Sequence, residues 1–162
     1  MRVFFLSAVF LSIWAGAALA GDVVFGLGTS DFSLDEAEDE AVFVLEYHND
    51  PFRSIGKTDI SVGFVAAAHA NGDVFLGAGL SAYRPFTERW FIEGSFMPGL
   101  FLNAEDATDL GSELEFRSLI GVGREFGDDT RVSLGISHKS NADTGRINPG
   151  VNTLHLRIRR SF

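Results

Sequence analysis

From residue 21 onward the chain alternates apolar and polar side chains with a period of two, the mark of strands whose two faces meet different surroundings. The clearest stretch is Asn152 to Phe162, where Leu154, Leu156 and Ile158 share one face and Thr153, His155, Arg157, Arg159 and Ser161 share the other. Between 131 and 140, Val132, Leu134 and Ile136 oppose Arg131, Ser133, Gly135 and Ser137. Between 113 and 126, Leu114, Phe116, Ile120 and Val122 oppose Glu113, Glu115, Arg117 and Glu125. Segments at roughly 22–29, 41–48, 57–70, 73–85 and 89–102 bring the count to eight predicted strands.

The connections carry the topology. Residues 29–40, 103–112 and 143–151 are long and polar, whereas 85–88 and 127–129 are short turns rich in turn-forming residues. Residues 71–73 and 49–56 fit the alternation of lengths less well, a short outer turn and a long inner one. An even number of amphipathic strands with short turns at one end and longer loops at the other predicts an all-β, eight-stranded antiparallel up-and-down transmembrane β-barrel. Its interior would be filled by side chains rather than form a wide pore. The glycine pairs Gly26/Gly28, Gly77/Gly79 and Gly121/Gly123 read as relief of crowding on the inner wall. Glu93, Glu113, Glu115, Arg117, Glu125, Arg131, Arg157 and Arg159 read as inward charges of mixed sign that pair across it. A soluble lipocalin-like barrel, with its apolar faces turned inward, is the competing architecture.

The first twenty residues differ. A positive start at Arg2, an apolar run from Val3 to Trp14 and Ala18-Leu19-Ala20 read as a secretory signal peptide. Residues 1–20 would be removed and residues 21–162 would form the barrel, placed in the bacterial outer membrane. Phe162 closes the last strand in the manner of a terminal signal for the barrel insertion machinery. A net charge of -9 and the lack of any Lys/Arg cluster before the last residues argue against nucleic acid as a partner. The absence of cysteine removes thiol chemistry, zinc ribbons and disulfides.

Parity makes one motif informative. His138 and Ser140 fall on the same face as Val132, Leu134 and Ile136 and should point outward, near the outer end of the seventh strand. Neighbouring imidazole and hydroxyl groups suit proton transfer to the ring as the oxygen attacks a carbonyl. An interfacial polar girdle is the plainer reading of the same two residues. His48, His69 and His155 have no metal-ligand spacing. The acidic run Asp35, Glu36, Glu38, Asp39 and Glu40 reads as a solvated loop, with divalent-ion bridging as the rarer alternative. Tyr83, Trp90, Phe91 and Phe96 fit interface belts or barrel packing.

The stretch His138-Lys139-Ser140-Asn141-Ala142, followed by Asn148-Pro149-Gly150-Val151-Asn152, resembles the signature of the outer-membrane lipid A deacylases of the PagL type. The close match covers residues 138–152. The resemblance implies an eight-stranded barrel with its active site on the outer wall, a serine esterase that removes the 3-O-linked acyl chain of lipid A without a cofactor or metal. Ser140 is then similar to the nucleophile and His138 to the general base. Asn141, with Ala142 and the backbone amides that follow, resembles the oxyanion-stabilising group, and Asn148 matches a loop residue that shapes the site. The sequence departs at Asn152, where the family has Glu. Parity keeps Asn152 on the outer face with Leu154, and its oxygen can accept an imidazole N–H but brings no charge. Asp143 is a second candidate for the acid. A barrel that has lost turnover and serves as a structural or lipid-binding envelope protein is the alternative function.

Overall fold

The computed structural model describes residues 21–33 and 39–162, so the expected signal segment 1–20 and Asp35, Glu36 and Glu38 of the acidic run lie outside the described residues. Nine strands follow one another: β1 Gly21–Phe32, β2 Glu40–Asn49, β3 Arg53–Ile55, β4 Thr58–His69, β5 Val74–Pro85, β6 Trp90–Leu102, β7 Leu114–Phe126, β8 Thr130–Ser140 and β9 Val151–Ser161. The eight long ones form an antiparallel meander that closes on itself: β1 pairs with β2 on one side and with β9 on the other, and β2 pairs with β4. Closure satisfies the backbone hydrogen bonds around the whole ring, the condition for a sheet to cross a bilayer.

Two details differ from the sequence pattern. Residues 53–55 pair with the start of β4, so the long inner connection is partly a hairpin extension of the wall, too short to register as alternation. And β1 continues past Thr29 to Phe32, held by β9 through Ser30↔Thr153, Asp31↔Asn152 and Phe32↔Val151. Gly21, Phe162 and the turns 86–89 and 127–129 share one end of the barrel, while 70–73, 103–113 and 141–150 cap the other.

The lumen is packed. Arg157 is 1 % exposed, giving Nη1 and Nη2 to Glu46 at 2.8 and 3.1 Å and Nε to Glu93 at 3.0 Å. Arg117 adds a contact of 3.1 Å to Glu46, and Arg159 joins Glu93 at 2.8 Å to Asp22 at 2.9 Å. Such desolvated charges are tolerable only as a connected network. Toward the far end the filling becomes apolar, with Val42, Val44, Val65, Phe75, Met97, Phe101 and Leu110 buried together. The Lys139 ammonium lies 3.9 Å from the centroid of the Phe101 ring. Glycine clears space here: a Cβ on Gly123 would fall 2.4 Å from Phe91 Cζ and 2.4 Å from the Val132 carbonyl oxygen.

Of the eight inward charges expected, Glu113 is a correction. It is exposed, because β7 begins at Leu114 and residue 113 belongs to the connection. Conversely Glu46 and Lys139 are buried ionisable groups, and His48 a buried imidazole, that the alternation did not single out. The outer wall is apolar, exposing Phe25, Leu27, Phe64, Leu80, Ile120, Leu134, Ile136 and Leu156. A charged interior with a greasy exterior is the reverse of a lipocalin.

Candidate active site on the outer wall

Along β8, Ser133, Gly135, Ser137 and Lys139 point inward and are buried, while Leu134, Ile136 and His138 are exposed and Ser140 is half-buried on the outer face. His138 and Ser140 therefore stand on the exterior, at the end of the barrel away from Gly21 and Phe162. Strand register adds neighbours from three other elements: Ser118↔His138 across β7/β8, His138↔Asn152 across β8/β9, and Asn152↔Asp31 across β9/β1. A polar row thus crosses a wall that is apolar one step below, at Ile120, Ile136 and Leu154.

The row is organised around the imidazole. His138 Nδ1 lies 2.9 Å from Asn152 Oδ1. With the amide oxygen as acceptor, the proton sits on Nδ1 and Nε2 carries the free lone pair. Ser140 stands two residues along the same face, and its hydroxyl makes no hydrogen bond among the described residues. Gly150 underlies the ring. Its φ is +73°, and a Cβ there would come within 3.0 Å of His138 Cε1.

After Ser140 the chain leaves the wall in a turn with two left-handed non-glycine residues, Ala142 (φ 54°) and Asp143 (φ 61°). Asn141 holds that turn from within. Its buried side chain donates from Nδ2 to the carbonyls of Leu110 at 2.8 Å and Ile147 at 2.6 Å, and its own carbonyl accepts from Thr144 Oγ1 at 2.6 Å. Asn148 works from outside, accepting the Asn141 backbone N–H on Oδ1 at 3.1 Å and donating from Nδ2 to Asp143 Oδ1 at 3.0 Å. Asp143 is thereby engaged with Asn148 rather than with His138. The backbone N–H groups of Ala142 and Asp143 donate to nothing among the described residues and lie just past Ser140. The Asn141 amide is committed to the loop interior, so the oxyanion donors this turn offers are main-chain groups.

The connection 103–113 steadies the loop. Arg146 Nη2 contacts Asp109 Oδ2 at 3.1 Å, and the Arg146 backbone N–H donates to the Gly111 carbonyl at 3.2 Å. Below the polar row, Ile92, Ile120, Val122, Leu134, Ile136 and Leu154 line a shallow apolar cavity of about 430 Å³.

The remaining histidines serve the interior: His48 contacts Glu46 at 2.9 Å, His69 contacts Ser30 at 3.1 Å, and His155 contacts Ser137 at 2.9 Å. Among the described residues no group of three or more His, Asp or Glu side chains is arranged to hold a metal. Sequence reasoning missed Asp31, because it took β1 to end at Thr29. Extending the parity of Phe25, Leu27 and Thr29 by one step would have put Asp31 on the outer face.

An eight-stranded transmembrane barrel with a serine-histidine-amide row on its outer wall defines the class. The sequence model of the family described as lipid A 3-O-deacylase (PagL) matches residues 39–161, more than half of the chain. The chain belongs to that family. Among solved structures it is similar to the outer membrane enzyme PagL, with a TM-score of 0.70 at 18% identity over 87% of this chain and 99% of that one. It is also similar to Neisserial surface protein A, with a TM-score of 0.56 at 11% identity over 88% and 96%. Ail, the attachment invasion locus protein of Yersinia pestis, gives 0.52 at 12% identity over 88% and 99%. At these identities the structural likenesses bear on the fold alone. No curated protein sequence matches the chain.

Proposed function

We propose that this chain is an outer-membrane serine esterase that hydrolyses the 3-O-linked acyl ester of lipid A, with Ser140 as nucleophile and His138 as general base. The observation that carries the reading is the His138 Nδ1 contact to Asn152 Oδ1 at 2.9 Å: with the amide oxygen accepting the ring N–H, Nε2 is the basic nitrogen, on the same outer face as the Ser140 hydroxyl. Family membership supplies the substrate class.

The proposed reaction runs through an acyl-enzyme. Lipid A in the outer leaflet lays its acyl chains along the apolar wall, with the cavity beneath the polar row receiving the segment next to the ester. Ser140 Oγ attacks the ester carbonyl as its proton passes to His138 Nε2. The developing oxyanion accepts hydrogen bonds from the N–H groups of Ala142 and Asp143, which are fixed in advance by Asn141 and Asn148. The tetrahedral intermediate expels the sugar 3-oxygen, which takes the proton from His138. Water, deprotonated by the same imidazole, then releases the fatty acid from Ser140. Asn152 sets the tautomer of His138 without neutralising the imidazolium, so turnover should be slower than with a carboxylate at that position. We assign residues 1–20 to a cleaved signal peptide and Phe162 to recognition by the insertion machinery.

A second reading, a barrel of the same family impaired in turnover, draws on Asn152 alone. Incubating the purified protein in detergent micelles with hexa-acylated lipid A separates the two. The esterase reading predicts a product lacking one 3-hydroxyacyl chain, assigned to the 3-position by tandem mass spectrometry and lost in His138→Ala. An unchanged substrate after prolonged incubation favours the impaired barrel.

A further inference from the structure

The site has an asymmetry to account for. An amide presents both an acceptor and a donor, so Asn152 can meet His138 in either of two orientations. With Oδ1 toward the ring, Nδ1 keeps its proton and Nε2 is a base. With Nδ2 toward the ring, Nδ1 must accept, the proton moves to Nε2, and the imidazole can no longer take one from Ser140. Nothing on β8 distinguishes the two: Ser137 and Lys139 point into the lumen, and Ser118 opposite His138 reaches only its carbonyl oxygen, at 3.5 Å.

On the other side of Asn152 the situation differs. Asp31 is its cross-strand partner in β1, and both side chains are exposed on the outer face. Directly opposed residues of an antiparallel pair hold their Cβ atoms about 4.5–5.5 Å apart, within hydrogen-bonding reach for Asp and Asn. Asp31 has no hydrogen-bond or ion-pair partner among the described residues, and neither does Asn152 Nδ2. The geometry points to Asp31 as a positioning residue that works through Asn152, standing in for the carboxylate the family carries at position 152; this rests on the deacylase reading above. A carboxylate only accepts. It attracts Nδ2–H and repels Oδ1, which turns Oδ1 toward His138 and selects the catalytically competent tautomer. Accepting from Nδ2 also polarises the amide, strengthening Oδ1 as the acceptor of the imidazole proton. The relay runs Asp31, Asn152, His138, Ser140 across four consecutive positions of two strand pairings and one strand face. Asp31 never touches substrate.

The test is a pair of substitutions scored by kcat and KM for lipid A in micelles, with heat-modifiable gel mobility confirming folding. Asp31→Asn should lower kcat at least tenfold with KM within about twofold, because a wrong tautomer removes the base and leaves binding intact; in a serine protease the comparable error costs about ten-thousandfold. Asn152→Glu bonds the ring directly, and in that background Asp31→Asn should raise the rate by removing a like charge directly opposite. Ring-nitrogen NMR shifts of His138 should report Nδ1–H in the parent chain and Nε2–H in Asp31→Asn. An active parent with undiminished Asp31→Asn turnover, an equal loss in both backgrounds, or an unchanged tautomer overturns the role of Asp31 and spares the deacylase reading. An inactive parent overturns both.

Discussion

His138 is held on two sides, by an amide oxygen on β9 and by Gly150 beneath the ring, and it shares its outer face with Ser140. Gly150 matters because its conformation disfavours a side chain and because a Cβ there would press the His138 ring to shift. Gly150→Ala places an L residue at a φ of +73°, costing about 1 kcal/mol, and presses a methyl against Cε1. The expected outcome is a several-fold fall in kcat with KM little changed and the folded gel band retained; loss of the folded band instead would put the effect on the barrel. At this scale the sequence is informative wherever parity applies, as for His138, Ser140 and Asn152. It is silent where the chain leaves the strand. Continuing the alternation past Ser140 turns Asn141 inward, as it is, but its partners, the carbonyls of residues 110 and 147, belong to loops whose approach no period of two predicts.

The elements that matter most are the connection 141–150 and its neighbour 103–113. Their clasp consists of the two Asn141 side-chain bonds, the Arg146–Asp109 contact and the Arg146 N–H to Gly111 bond. Asn141→Ala strips the buried Leu110 carbonyl of its donor, a cost of about 1–3 kcal/mol that falls on the loop, and removes the weaker support of the Ile147 carbonyl. Faster proteolytic cleavage between residues 141 and 150, together with a loss of turnover of tenfold or more at an unchanged barrel melting temperature, is expected. Intact protease resistance would show that the loop holds without the clasp. Strand boundaries near these loops were the least legible part of the sequence. Asp31 sits where apolar alternation stops, so β1 looked shorter than its pairing with β9 makes it. The three residues of β3 are too few to show a period at all. The loop residues are legible in another way: Asn148-Pro149-Gly150, at fixed spacing from Ser140, carries part of the family resemblance.

For the molecule as a whole, the division between a charged lumen and a greasy exterior was readable from the sequence, because every strand repeats it. Which charges meet was not readable, since that depends on the stagger of strands around the ring. Arg157 is the centre of the result, contacting Glu46 and Glu93 on opposite walls. Arg157→Met leaves two desolvated carboxylates without their main partner, and breaking a buried pair in this way costs about 3–5 kcal/mol. A marked drop in the urea midpoint of the heat-modifiable band is expected, while Arg124→Met, on the exposed rim over Phe126, should leave it nearly unchanged. The packed lumen holds the strands in register, and the polar row of His138, Ser140 and Asn152 is carried on their outer faces.

The most direct measurement is the mass spectrum of lipid A from cells expressing the chain in their outer membrane, set beside cells expressing Ser140→Ala at the same level. The account predicts that the parent chain produces lipid A lighter by one 3-hydroxyacyl group and that the variant produces none. Identical spectra from the two, with both proteins folded in the outer membrane, would contradict it.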